Sequence, residues 1–495
     1  MGIGRRDFLR AAGKSILAAA AAAALPSGAS AGSGGEARRP NIIVFFTDDQ
    51  GYNDVGCFGS PDIETPNFDR MAREGIRLTD FYAMPVCGPS RAALMTGCYP
   101  IRVAEPRNHK GQHTILHPRE ITIAEVLKDA GYTTGMIGKW HLAGGRKKAY
   151  PAKLMPLGQG FDSFFGTPLH NGFTRTVEAK SFRTQLMRGN EVIDDFLKQS
   201  EMNTLTRRYT REAVRFIREH KDGPFFLYLA HNMPHVPLGA SEAFRGQSKR
   251  GLYGDVIAEL DWSLGQVIQT LQEQGIDRDT LIWFTSDNGP WIEKHLGDYG
   301  GSAAPLRGSK MMTWDGGPRA PCIVRWPGHV PAGRVSGEII STLDILPTLA
   351  RLAGADVPAD RTIDGRDVSD FLLGRSEKSP RKRYYFYCYT QLQAVREGRW
   401  KLVLPRPAHP KWCGWSARMV DAVKEVELYD LVNDVAEEHN VAEAHPEVVK
   451  RLMGVVEEAR RDLGDYDRIG QGARFFDEGP RRPDVRRWSQ PPFRR

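Results

Sequence analysis

Residues 41–51 read NIIVFFTDDQG. An apolar run from Ile42 to Phe46 stops at two acids, Asp48 and Asp49. A run that is apolar on both faces suits a buried strand of a parallel sheet. Three more stretches end in the same manner. TLIWFTSDNGP carries Leu281 to Phe284 and then Asp287 and Asn288. PFFLYLAHNMPH carries Phe225 to Ala230 and delivers His231 and His235. YTTGMIGKWH follows the helical pattern TIAEVLKDAG and delivers Lys139 and His141. Apolar runs alternating with helical patterns over four-fifths of the chain predict an α/β fold, a large, mostly parallel central sheet flanked by helices. In open α/β sheets ligands bind beyond the carboxyl ends of the strands, so these polar groups are expected to converge on one rim.

Each piece alone has a plainer reading. Asp48-Asp49-Gln-Gly and Ser-Asp-Asn-Gly are good turn sequences. Lys139 with His141 fits a surface pair, and His235, between prolines, fits a packing residue. His109, His113 and His117 form an H-x3-H-x3-H series, but Gly111 and Pro118 break any helix that would align them, so a loop is expected rather than a zinc site. Taken together, Asp48, Asp49, Asp287 and Asn288 are hard oxygen donors, which select Ca²⁺ or Mg²⁺ over Zn²⁺.

Work outward and the ends of the chain stand apart. Residues 1–31 hold Arg5-Arg6, an Ala-rich apolar run from about Ser15 to Leu25, and Ala29-Ser30-Ala31. That reads as a signal peptide with the paired arginines of the Tat export route, and the run is too short to span a bilayer comfortably. No stable membrane anchor and a periplasmic or secreted location are expected. The formal charge of +8 falls to about +5 without that segment, a mild bias toward anionic ligands. At the other end PRRPDVRRWSQPPFRR, residues 480–495, reads as a basic, loosely ordered tail. Nucleic acid is a poor partner for an exported chain with no binding motif. Six cysteines permit three disulfides in an oxidising compartment, with Cys388–Cys413 a weak candidate.

One cysteine differs. VCGPSRAALMTG, residues 86–97, places Pro89 in a first helical turn and Gly97 at its close. Cys87 then sits at a helix N-terminus, with Arg91 one turn on, in surroundings that lower a thiol pKa and hold an anion. A thiolate nucleophile, a structural cysteine and an anion-binding helix start all remain open on these grounds.

CGPSRAALMTG is similar, residue for residue, to the signature of the type I, formylglycine-dependent sulfatases of the alkaline phosphatase superfamily. NIIVFFTDDQGYNDVGCFG, GKWHLAG, SDNGP, LRGSKMMTWDGGPRAPCIVRWPG and ELYDLVNDVAEEHNVAEAHPEVVKRL resemble family landmarks in family order. The resemblance implies that a formylglycine-generating maturation enzyme oxidises Cys87 to an aldehyde, which hydrates. It implies a metal shell of Asp48, Asp49, Cys87, Asp287 and Asn288, usually around calcium. It implies catalytic roles for Arg91 and Lys139 on sulfate oxygens, and for Asp287 and His141 in proton transfer. His235 is implied near the leaving-group oxygen, in preference to His231, with Lys310 beside it. Residues 40–379 are expected to form the catalytic domain and 380–479 a C-terminal subdomain of antiparallel sheet plus helix. The implied reaction is hydrolysis of sulfate monoesters of aryl alcohols or, by the layout of exported bacterial members, of carbohydrates. Trp291, His170, His295, Trp314 and Trp412 are candidates for sugar contacts. Two alternatives stay open: a phosphodiesterase or phosphonate hydrolase of the same superfamily, and an inactive glycan-binding protein that keeps Cys87 as a thiol.

Overall fold

Successive side chains of the strand Asn41–Thr47 enter different cores. Ile42, Val44 and Phe46 pack with Leu94, Met95, Leu346 and Leu349, whereas Ile43 and Phe45 pack with Tyr209, Ala213, Leu260 and Leu264. Both faces of the sheet are therefore covered by helices, as the two-sided apolar run requires. The computed structural model describes residues 39–103, 114–145, 149–171, 184–196, 198–292 and 300–474. The expected signal peptide, the basic tail, His109, His113 and His295 lie outside them.

The large sheet has ten strands: β1 (Asn41–Thr47), β2 (Ile76–Leu78), β3 (Thr133–Lys139), β4 (Ser163–Thr167), β5 (Thr184–Arg188), β6 (Glu191–Phe196), β7 (Phe225–Ala230), β8 (Thr280–Ser286), β9 (Cys322–Arg325) and β10 (Arg334–Ser336). Their order is β10-β2-β9-β8-β1-β7-β3-β4-β5-β6. The centre, β8-β1-β7-β3-β4, is parallel throughout. Antiparallel pairings join β9 to β8 and to β2 on one side, and β5 to β4 and to β6 on the other. The strands that carry Asp48, Asp287, His231 and Lys139 are thus four adjacent parallel strands, and their carboxyl ends share one rim.

Two glycines allow β7, β3 and β4 to approach just before that rim. Gly138 holds φ +110°, and a Cβ there would lie 1.8 Å from the Ala230 carbonyl oxygen. A Cβ on Gly166 would lie 1.9 Å from the Gly138 carbonyl oxygen. Backbone cannot yield at such distances, so Gly138→Ala is expected to destabilise the fold by more than about 3 kcal/mol. Urea unfolding measures this; a loss below about 1 kcal/mol would contradict the close approach.

The C-terminal subdomain is a four-stranded antiparallel sheet, β11 (Arg383–Cys388), β12 (Gln391–Glu397), β13 (Trp400–Val403) and β14 (Glu427–Asp430), in sequential order. The helix Pro446–Asp462 covers it through Leu452, Val455, Val456 and Ala459. Buried ion pairs fasten this sheet to the main body: Arg396 with Asp80 (2.5 Å) and Lys401 with Asp315 (2.9 Å), while Glu437 of the subdomain pairs with Lys401 (2.6 Å) and accepts from the Asp315 amide (2.7 Å).

Candidate active site

Thr47 lies opposite Ser286 in the β1–β8 register, so the two polar pairs leave the sheet level with each other. The Asp49 amide donates to Asp287 Oδ1 (3.1 Å), and Asn288 Nδ2 donates to Asp49 Oδ1 (2.8 Å). Asp49 holds φ +67° and His141 φ +61°, left-handed backbone that is costly for any residue but glycine and that clusters at functional sites.

Three cations meet the three carboxylates. Lys139 Nζ is 2.6 Å from Asp48 Oδ2, and Lys310 Nζ is 2.7 Å from Asp49 Oδ2. Arg91 Nη2 donates to Asp287 Oδ2 (2.7 Å) and Nη1 to the Lys139 carbonyl (2.9 Å). Its guanidinium rests over the Phe46 ring at 5.3 Å. All six charged groups are buried. Burial of this kind is tolerable only because each charge has a partner. Burial and the charge of Asp48 push the Asp287 carboxyl up to about 6, against Arg91 and the two lysines. Burial works to lower the Lys310 ammonium, but Asp49 and its neighbours prevail and raise it.

Cys87 opens the helix Cys87–Thr96, as its sequence predicts. The expected drop in thiol pKa is not found. Burial pushes the thiol up, and the help of Lys139 and Lys310 is opposed by Asp287 and Asp48. A helix end and a nearby arginine can be read in the sequence; the desolvation that outweighs them cannot. His141 Nδ1 lies 3.4 Å from Cys87 Sγ. His235 Nδ1 meets the Val236 carbonyl, which can only accept, so that nitrogen carries the proton and Nε2 faces Asp49 Oδ2 at 3.7 Å. Burial, then Lys310, holds the His235 imidazole well below its ordinary value.

The rim thus brings together Asp48, Asp49, Cys87, Arg91, Lys139, His141, His235, Asp287, Asn288 and Lys310. His231 stays in the core, hydrogen-bonded to Ser263 (3.2 Å) and packed on Phe45, and burial drives its pKa down to about 3. Among the sugar-contact candidates, His170 stacks on His235 (5.2 Å) and meets His141 edge-on (5.5 Å). Trp291 packs against His235 (5.4 Å) and beneath Lys310 (4.8 Å). Trp412 stacks on Tyr466 at 4.4 Å. Trp314 is buried in the C-terminal core, its indole N–H given to Asp421 (2.9 Å). Sequence reasoning passed over Tyr228, whose hydroxyl lies 3.4 Å from Arg91 Nη1, and Asn171, which donates to the His235 carbonyl (2.8 Å). Tyr228 had a signal: it is the polar-tipped member of the alternate β7 face that Phe46 shares.

The donor set suits a hard cation. Asp48 Oδ1 and Asn288 Oδ1 are buried acceptors with no hydrogen-bond partner among the described residues. Ligand atoms of Asp48, Cys87 and Asp287 lie within 4.8 Å of one another, as do those of Asp48, Asp49 and His235.

The sulfatase family profile matches residues 40–355. This chain belongs to the sulfatase family. A second profile, N-sulphoglucosamine sulphohydrolase, C-terminal, matches residues 309–462. The chain is 35% identical to steryl-sulfatase of Mus musculus over 458 residues, covering 77% of this chain and 73% of the relative. It is 39% identical to N-acetylgalactosamine-6-sulfatase of Mus musculus over 387 residues, covering 74% and 72%. A Bacteroides thetaiotaomicron "6S-sulf" structure, from work on the metabolism of multiple glycosaminoglycans, superposes with a TM-score of 0.72 at 29% identity, over 86% of this chain and all of that one. The sulfatase is thus a sulfuric ester hydrolase of the alkaline phosphatase superfamily. Sulfatases generally use a formylglycine and a divalent cation. Among the described residues of this one, no helix is long and apolar enough to cross a membrane.

Proposed function

We propose that this sulfatase hydrolyses sulfate monoesters of carbohydrates, with a formylglycine made from Cys87. A calcium ion, or magnesium, would be held by Asp48, Asp49, Asp287, Asn288 and residue 87. The observation that carries this reading is the convergence of three carboxylates, three cations and two histidines around Cys87 on one buried rim. A hydrated aldehyde at position 87 would supply the hydroxyls for attack on sulfur and for release of sulfate, and a cation held by Asp48, Asp49, Asp287 and Asn288 would offset the charge of sulfate oxygens. Arg91 and Lys139 orient and neutralise the sulfate group, the positioning and charge stabilisation that carry most of such a transfer. Asp287, whose carboxylate lies within 4.8 Å of the Cys87 sulfur, would take a proton from residue 87, and His141 Nδ1, at 3.4 Å, a second one afterwards. Lys310 stands charged beside the ester oxygen of the departing alcohol, and the negative charge of a bound sulfate would favour the protonation of His235 Nε2 that donation to that oxygen requires.

The carbohydrate class is supported by the N-acetylgalactosamine-6-sulfatase relative and the glycosaminoglycan-metabolism neighbour. Residues 40–379 would form the catalytic part and 380–479 the subdomain that walls the cleft. Residues 1–31 would direct Tat export to the periplasm or beyond. Conversion of Cys87 would precede folding and export; unmodified cytoplasmic precursor beside converted exported protein would reverse that order.

His235→Ala is expected to lower kcat/KM on sugar or alkyl sulfates by about 10²–10⁴-fold, the usual weight of a general acid. The loss on nitrophenyl sulfate is expected to be far smaller, because that leaving group needs little protonation. Equal losses on both substrates would remove His235 from this role. Parallel assays on matched aryl sulfate and aryl phosphate diester test the reaction class, with the sulfate expected to be preferred.

A further inference from the structure

Cys388 ends β11, and Cys413 lies in the 3₁₀ segment Lys411–Met419. Both are fully buried, and they share one small apolar cluster with Val86, Cys87, Met311 and Tyr389. Cys413 Sγ lies 3.6 Å from the Cys388 carbonyl oxygen, and Cys388 Sγ lies 3.8 Å from that of Met311. The two thiols also act on each other: after burial itself, the Cys388 thiol is the next influence that raises Cys413. The polar neighbours of Cys413 Sγ are the side-chain amides of Gln391 (3.4 Å) and Gln393 (3.8 Å), which are not the thiolate, imidazole or carboxylate partners of a zinc centre.

We propose that Cys388 and Cys413 form a structural disulfide in the mature protein. Two S–H bonds break and one S–S bond forms. The two electrons and two protons pass to a disulfide oxidant, glutathione disulfide or a protein disulfide, which leaves as two thiols. The bond ties the Lys411–Met419 segment to β11, and through Met311 to the site itself. The Met311 amide donates to the Pro85 carbonyl (2.7 Å), two residues before Cys87, and Lys310 precedes it. Pairing also removes from the Cys87 cluster two thiols that could otherwise cross-link to it. The disulfide stands independently of whether Cys87 is converted.

The test uses the full-length protein, incubated with glutathione disulfide in sub-denaturing urea, alkylated with iodoacetamide in denaturant and digested without reductant. The expected product is one peptide pair joined through positions 388 and 413 and separated by reduction. The oxidised protein is expected to melt a few degrees above the reduced one, a gain lost in Cys388→Ala and in Cys413→Ala. Recovery of the two cysteines alkylated, capped by glutathione or joined elsewhere would overturn the assignment. The state of position 87 is read from the same digest, so failure of the disulfide and failure of the formylglycine reading give different masses.

Discussion

Cys87→Ala is expected to lower kcat/KM for sulfate esters by about 10⁴-fold or more, with the fold retained. On the proposed reading residue 87 is the nucleophile, and removing a nucleophile from a site whose parts act as a unit costs most of the catalysis at once. The structural cost is small, because a small side chain is shortened to alanine beside the apolar groups of Val86 and Met311, giving up the 3.4 Å approach of His141. The decisive measurement is kcat/KM on an aryl sulfate together with the thermal midpoint of both proteins. A variant that retains the parent activity would take residue 87 out of the chemistry. A parent that is itself inactive, with a free thiol at 87 and glycan affinity, would leave the inactive binding protein as the reading.

Asp48→Asn is expected to act on stability and on activity together. Asp48 is the buried partner of Lys139, at 2.6 Å, and breaking such a pair by neutralising one member typically costs about 3–5 kcal/mol. Its Oδ1, like Asn288 Oδ1, is a buried acceptor without a hydrogen-bond donor among the described residues, and so is open to a cation. The parent is expected to gain about 2.7 kcal/mol of stability at calcium concentrations 100-fold above the dissociation constant, and the variant to gain nothing. Chelation of the parent is expected to remove activity, and added calcium to restore it. If stripping and restoring the cation move neither activity nor melting temperature in the parent, the assignment of these oxygens to a metal fails.

Much of this site was legible because it is built from strand ends. A run such as Ile42–Phe46 announces a buried parallel strand, and the polar residues that follow must emerge where neighbouring strands end, whichever order they take. The sequence could not reveal what depends on burial. The pull of a helix end on the Cys87 thiol is local and readable, while its desolvation is set by Met311, Cys388 and Val420, distant in the chain. The separation of His235 from His231 rested on a family pattern; in the structure His235 Nε2 faces Asp49 on the rim while His231 remains against Phe45. Trp314 looked like a sugar platform because a tryptophan near GSK and DGG has no local mark of its fate. Arg307, Lys401 and Arg406 surround it instead. The clamp of Asp80, Asp315, Arg396 and Lys401 had no signature either, since its members come from three separate regions, the last two being cross-strand partners.

The pairing of every carboxylate on the rim with a lysine or arginine has a consequence for how the molecule can be assembled. A cluster of bare acids would push itself apart until an ion arrived. Here the protein's own ammonium and guanidinium groups hold the seats, so entry of a cation is an exchange of partners rather than the rescue of a repulsive hole. The folded rim balances its own charge, three acids against two lysines and one arginine.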